Sequence, residues 1–162
     1  MKKIIPAILI FFSILSFSQE STAYYFIRHA EKNKNDKTDP FLTNEGVIRA
    51  EKWAYVFEEI EFDAVYSTNY NRTIQTVIPT AKANKLEVLI YEYEKIYNEE
   101  FKSKTIGKNI LIVGHSNTTP KLVNQIINQN KYKQIKENNN SNLYIVTKTK
   151  DNHFTSILLK IQ

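Results

Sequence analysis

The sequence predicts an α/β fold: a three-layer α/β/α sandwich on a mostly parallel sheet, closed by a C-terminal antiparallel hairpin. Three observations predict it. Short apolar runs alternate with stretches of helical periodicity from residue 23 to residue 127, as strands alternate with crossover helices. The two strongest runs, 23–28 and 110–113, each give way to a histidine-bearing polar segment, and open α/β sheets present their chemistry at strand carboxyl ends. The last two runs, 143–147 and 154–161, flank Lys150-Asp151-Asn152 and read as a hairpin.

Each element has its own warrant. The apolar, aromatic run Ala23-Tyr24-Tyr25-Phe26-Ile27 makes the first strand. Residues 33–40 are a polar loop with Asp39-Pro40 as its turn signal. Thr43 is placed to cap a helix reaching about residue 60, with Glu45 in its first turn. Val47, Ala50, Ala54 and Phe57 give that helix its apolar stripe, and Trp53 borders the stripe as a packing residue. Residues 64–67 form a short strand. A helix follows from about 71 to 84, in which Pro79 should introduce a kink or end the first half. Residues 86–91 read as a third strand and 92–101 as a weak helix. Gly107 turns the chain into the strand 110–113. Thr118 or Thr119 then caps a helix with Pro120 at its favoured first position, continuing through Leu122, Val123, Ile126 and Ile127. Residues 128–141, polar and Asn-rich, form a loop.

Residues 1–18 stand apart. Met1-Lys2-Lys3 is a short basic start, and residues 4–17 are apolar but too short for a comfortable membrane span. Ser16-Phe17-Ser18 supplies small residues for cleavage, so this reads as a secretory signal peptide cut near Ser18. Residues 19–162 are then one domain, periplasmic or secreted, with no membrane span left after processing. An uncleaved N-terminal anchor is the alternative. The chain has no cysteine, so neither disulfides nor a lipid-bearing cysteine are available. Its net charge is +5, and without Lys2 and Lys3 it carries 20 basic against 17 acidic groups. These are scattered, without the aromatic interleaving that single strands require, which argues against nucleic acid as a partner.

Two of the three histidines follow strands, in Arg28-His29-Ala30 and Gly114-His115-Ser116-Asn117, and Arg72 follows a third strand after Ser67. Two His and two Arg on one rim point to phosphoryl transfer, because guanidinium forks match phosphoryl oxygens. His153 falls in the hairpin turn, and no helical or short-loop spacing joins it to the others as a zinc site requires. Ser116 does not activate through His115, since adjacent side chains on a strand end point apart. Thr73 and Gln75 read as helix and packing residues. Lys32 and Asn33 belong to a solvated loop, with substrate contact as the alternative. Gly114 either lets backbone approach a ligand or marks a strand-end bend.

In this order the pieces resemble the histidine phosphatase superfamily, which includes the cofactor-dependent phosphoglycerate mutases. Arg28-His29-Ala30 matches its Arg-His-Gly/Ala signature, and Leu42-Thr43-Asn44-Glu45-Gly46 its Leu-Thr-x-x-Gly segment. Ser67, Arg72, Gln75 and Thr76 match its Ser-x-x-x-x-Arg-x-x-Gln-Thr element, and Val113-Gly114-His115-Ser116-Asn117 its second histidine motif. The resemblance spans residues 23 to about 127. It implies that His29 attacks phosphorus and carries the phosphoryl group as a phosphohistidine. Arg28, Arg72, His115 and Ser116 would hold the phosphoryl oxygens. No metal or other cofactor is implied, since arginines supply the charge neutralisation that magnesium supplies elsewhere.

The resemblance also implies a carboxyl proton donor after the third strand. Glu92, at the strand end, is the preferred candidate, with Glu94, Glu99 and Glu31 as alternatives. Arg72 and His115 are only 43 positions apart, room for one strand and a short helix. The chain is therefore similar to compact, phosphohistidine-phosphatase-like members, which lack the helical cap of larger relatives. An uncapped site stays open to water and favours hydrolysis over mutase transfer. The expected function is an exported, metal-independent phosphomonoesterase acting on a phosphorylated small molecule or an envelope sugar phosphate. A phosphate-binding module of the same fold, without turnover, is the alternative.

Overall fold

The computed structural model describes residues 21–36 and 38–162, so the signal-peptide reading of residues 1–18 lies outside the described residues. The elements run β1 (Thr22–Arg28), α1 (Asn44–Val56), β2 (Ala64–Ser67), α2 (Asn71–Ala83) and β3 (Val88–Ile90), then α3 (Glu99–Lys104), β4 (Asn109–Gly114), α4 (Thr118–Ile127), β5 (Asn142–Lys148) and β6 (Phe154–Lys160). All strands join one sheet in the order β3-β2-β4-β1-β5-β6. The first four in that order are mutually parallel, β5 runs antiparallel to β1, and β6 runs antiparallel to β5. This is the fold the sequence predicts.

Side-chain alternation along β4 divides the core into two layers. Ile110 and Ile112 pack with Tyr24, Phe26 and Tyr144 beneath Phe101 of α3 and Leu122, Val123 and Ile126 of α4. Leu111 and Val113 face the other way, with Ile27, Val65 and Leu143, against Trp53, Phe57, Val77 and Ala81 from the α1 and α2 side. A central strand covered on both faces has no polar side to show, which is why its sequence is continuously apolar. Burying each such side chain contributes about 1.5–3 kcal/mol, so the sheet centre is a firm platform for its own carboxyl ends.

The structure moves several boundaries. α1 ends at Val56 rather than near residue 60, with Phe57 as its C-cap. Its buried face is Gly46, Ala50 and Trp53, whereas Val47 is exposed; Trp53 is central to the packing and stacks on Phe57 at 5.7 Å. Pro79 lies inside α2 without ending it, because buried Val77, Thr80 and Ala81 hold the helix to the sheet on both sides of the proline. Tertiary packing outweighs a propensity penalty of about 3 kcal/mol here. The predicted helix over 92–101 is instead a run of turns followed by α3, capped by the Asn98 side chain accepting from the Phe101 amide. Asn117, not Thr118 or Thr119, caps α4 and leaves Pro120 in its third position. Thr118 turns its hydroxyl to accept from the His115 amide. Among the described residues no helix is long and apolar enough to cross a membrane.

Candidate active site

Register assembles the site. β1 and β4 are parallel neighbours with Arg28 opposite Gly114, so the next residue on each strand, His29 and His115, emerges beside the other. Their ring centroids lie 5.6 Å apart. On the far flank of β4, β2 pairs Ser67 with Val113, which delivers Thr68 and then Arg72 in the first turn of α2. The crevice lies at strand carboxyl ends, where open α/β sheets bind ligands. A cleft of about 860 Å³ is lined by Arg28, His29, Arg72, His115, Ser116, Glu92 and Glu94, and Lys32 also reaches it. Glu31 and Glu99 do not. Glu31 grips Arg49 with both carboxylate oxygens, at 2.7 and 2.9 Å, and Glu99 pairs with Lys102 on α3. Glu92 stands on the exposed rim, paired with Lys95. Asn33 is not on the cleft wall, and His153 is exposed in the hairpin turn.

His29 is fixed on every side. Its amide donates to the Gly114 carbonyl at 2.9 Å, and its carbonyl accepts from Asn140 Nδ2 at 2.7 Å. The next amide, of Ala30, donates to Thr76 Oγ1 at 2.9 Å. The ring Nδ1 lies 2.7 Å from the Ala30 carbonyl, which can only accept. Nδ1 therefore carries the hydrogen, and Nε2 keeps its lone pair. Burial is the first cause that lowers the His29 pKa, to about 3, and Arg28, His115 and Arg72 add repulsion of an imidazolium. The ring is neutral at any ordinary pH.

His115 takes the opposite tautomer. The Thr68 hydroxyl donates to Thr73 Oγ1 at 3.0 Å, so at 3.0 Å from His115 Nε2 it accepts, and Nε2 holds the hydrogen. Nδ1 faces Arg72 Nη2 at 3.5 Å. Burial, then Arg72, lowers the His115 pKa to about 4. Arg72 stacks on Tyr70 at 4.3 Å and lies 3.6 Å from Asp39 through Nη1. Its buried Nε–H has no acceptor among the described residues.

Arg28 is 3% exposed and is gripped by the loop 128–141. Its Nη1 donates to the carbonyls of Lys136, Glu137 and Asn139 at 3.0, 3.0 and 3.2 Å. Its Nη2 donates to Glu137 Oε2 at 2.8 Å, and the buried Nε–H again lacks an acceptor. The other Glu137 oxygen accepts from the Ser116 hydroxyl at 2.6 Å. That hydrogen bond, followed by Arg28, holds the Glu137 carboxyl below its ordinary range.

Several of these residues escape sequence reasoning. Glu137 and Asn140 sit in a polar stretch with no periodicity or motif around them. Thr68 and Tyr70 occupy unspecified places in the Ser-x-x-x-x-Arg element, where only their neighbours carry a signal. At Gly114 the structure shows a third reason for glycine, beside the ligand approach or strand-end bend read from the sequence. A Cβ there would stand 2.8 Å from Thr119 Oγ1, 3.0 Å from the Tyr91 hydroxyl and 3.2 Å from Thr118 Oγ1, so these side chains crowd the position. Chemically, the cleft offers a neutral imidazole with one free nitrogen, flanked by the buried Arg28 and half-buried Arg72 guanidinium groups, each with an Nε–H that has no acceptor among the described residues.

Residues 24–93 match the family model described as the histidine phosphatase superfamily (branch 1). No curated protein sequence matches the chain. Among solved structures, the fold is shared with the protein histidine phosphatase SixA complexed with tungstate, at a TM-score of 0.69 and 14% identity, covering 85% of this chain and 96% of that one. It is shared with a mycobacterial glucosyl-3-phosphoglycerate phosphatase, at 0.68 and 9% identity over 88% and 100%. A phosphoglycerate mutase from Bacillus anthracis gives 0.66 and 16% over 87% and 93%. The matched segment carries the first histidine and the Arg72 element, the fold supplies the second histidine at the neighbouring strand end, and over residues 24–93 the chain is similar to the histidine phosphatase superfamily.

Proposed function

We propose that the protein hydrolyses phosphomonoesters through a phosphohistidine on His29, with substrates drawn from phosphorylated small molecules or envelope sugar phosphates. One observation carries the reading. His29 Nδ1–H is tied to the Ala30 carbonyl, and a neutral ring presents Nε2 to a cleft containing Arg28, Arg72 and His115. The fold is that of a protein histidine phosphatase holding tungstate, a tetrahedral oxyanion, in its solved complex.

In the first step the Nε2 lone pair forms a bond to phosphorus as the ester P–O bond breaks. The leaving oxygen takes a proton from a rim carboxyl, for which Glu92 is the candidate. Water then attacks phosphorus, the N–P bond breaks, the electron pair returns to Nε2, and the carboxylate receives the water's proton. The guanidinium donors of Arg28 and Arg72 stabilise the oxygens as charge shifts among them, with His115 held against Arg72; such a donor is commonly worth about 3–4 kcal/mol in the transition state. Residues 1–18 support export of this activity, and N-terminal mapping of the mature protein tests that part.

The mechanism is tested by incubating the protein with an aryl phosphate, quenching in alkali and mapping the adduct by mass spectrometry. A gain of one phosphoryl group (about 80 Da) on His29 is expected, because a histidine nucleophile forms a covalent intermediate. Turnover should vanish in His29→Asn. Undiminished turnover in that variant excludes His29 as nucleophile, and a folded protein that turns over no phosphoester is a binding module instead.

A further inference from the structure

The carboxylate of Glu137 stands where the phosphatase reading places substrate. One end of Arg28 is spoken for: Nη1 donates to three backbone carbonyls of the loop. The remaining edge, Nε–H beside Nη2–H, is a fork of the kind that grips an oxyanion with two parallel hydrogen bonds. That fork is half filled. Glu137 Oε2 takes Nη2 at 2.8 Å, while the buried Nε–H has no acceptor among the described residues. The second carboxylate oxygen holds the Ser116 hydroxyl at 2.6 Å, one residue beyond His115. A monoanion therefore bridges two donors assigned to the phosphoryl group. Its side chain is nonetheless 71% exposed, and the carbonyls that pin the loop to Arg28 do not depend on it. The carboxylate can leave while the backbone stays.

We propose that Glu137 is a built-in competitor of phosphate: its carboxylate holds the phosphoryl position between Arg28 and Ser116, is exchanged for substrate, and returns to displace product. The inference rests on the phosphatase reading. A side chain tethered beside its own site competes at a high effective concentration, so it weakens the hold of the cleft on any oxyanion that needs those donors. For an enzyme whose substrate and product both end in a phosphoryl group, the useful consequence is at release. Without the competitor, the two arginines and the Ser116 hydroxyl would retain inorganic phosphate. With it, the donors pass from phosphate to carboxylate without ever being left bare, which avoids the cost of an unsatisfied buried donor.

The test is calorimetric binding of inorganic phosphate, with product inhibition of aryl phosphate turnover measured alongside, in wild type, E137A, E137Q and E137D. E137A and E137Q should bind phosphate about tenfold tighter or more, as loss of a competing charge-assisted hydrogen bond implies, and KM should fall with them. E137D separates occupancy from mere repulsion, because it keeps the charge on a side chain too short to bridge both donors. E137D grouping with E137A supports occupancy. E137D grouping with wild type while E137A gains shows a distant field effect and overturns the proposal. Equal or weaker phosphate binding in all three variants, with wild-type turnover intact, overturns it and leaves the phosphatase reading standing. Folded wild type that neither binds phosphate nor turns over an ester overturns both.

Discussion

The proposed nucleophile must keep one nitrogen unprotonated, and burial lets His29 do so, which predicts an acid-sensitive protein. In an unfolded chain a histidine titrates near 6.5; here His29 is lowered to about 3 and His115 to about 4. Between those values the unfolded chain binds protons that the native protein refuses. Stability is therefore fully present above pH 6.5 and is lost as pH falls toward the native values, by up to about 1.4 kcal/mol per pH unit for each histidine. Glu137, whose pKa is also lowered, adds to the loss in the same direction. Urea unfolding of wild type should show a midpoint falling steadily from pH 7 to pH 4.5. The His29→Asn, His115→Asn double variant should show a shallower fall over that interval, and parallel curves would place the acid sensitivity elsewhere. The sequence makes both histidines legible, because each follows an apolar strand. Their tautomers are not legible, since Ala30 carbonyl and Thr68 hydroxyl are met only once the chain is folded.

The elements hold the site through contacts that look like idle motif letters in the sequence. Thr76 Oγ1 accepts from the Ala30 amide and donates to the Arg72 carbonyl, so one hydroxyl of α2 ties the end of β1 to the turn that carries Arg72. Gln75 Oε1 accepts from the Leu42 amide, which fastens the segment before α1. Gly46 lets α1 sit against the backbone beyond His29: a Cβ there would stand 2.2 Å from the Glu31 carbonyl oxygen. Backbone gives way less readily than a side-chain tip, so Gly46→Ala should destabilise by about 1–3 kcal/mol. Thr76→Val should cost about 1–3 kcal/mol through the unpaired Ala30 amide, and it should lower kcat because His29 is the neighbouring residue. Denaturant titration and steady-state kinetics on the two variants check this. A stability loss without any kinetic loss in Thr76→Val means that α2 does not position the nucleophile. The strands and long helices were legible because their periodicity is local, as is the Thr43 cap of α1. α3 was misread, although Asn98, Glu99 and Glu100 followed by Lys102 and Lys104 carry the charge order a helix prefers. The loop 128–141 was legible only as a loop, because its role comes from carbonyls and one carboxylate, and no sequence pattern encodes which carbonyls an arginine will meet.

For the whole molecule, alternating strands and helices and a closing hairpin were enough to give the layers, while the strand order β3-β2-β4-β1-β5-β6 is a long-range choice. It is this order that sets β1 against β4 and makes two residues 86 positions apart neighbours. What the order leaves above the cleft decides the reaction. Between β3 and β4 the chain has turns and the six-residue α3; α3 packs Phe101 into the core rather than over the histidines. The cleft is bordered by exposed residues, among them Asn69, Glu92, Glu94, Asn117 and Gln134. A phosphohistidine formed there would face bulk water, which is present at far higher concentration than any acceptor alcohol and meets no lid among the described residues. The phosphoryl group should therefore pass to water even when an acceptor is abundant. In turnover of an aryl phosphate with glycerol or 3-phosphoglycerate added, phosphorus NMR should show inorganic phosphate as the dominant product and phenol release matching it mole for mole. Phenol in excess of phosphate, with a new phosphomonoester signal, would mean that residues of the open rim hold the acceptor well enough to outcompete water, and that this compact fold runs a transferase.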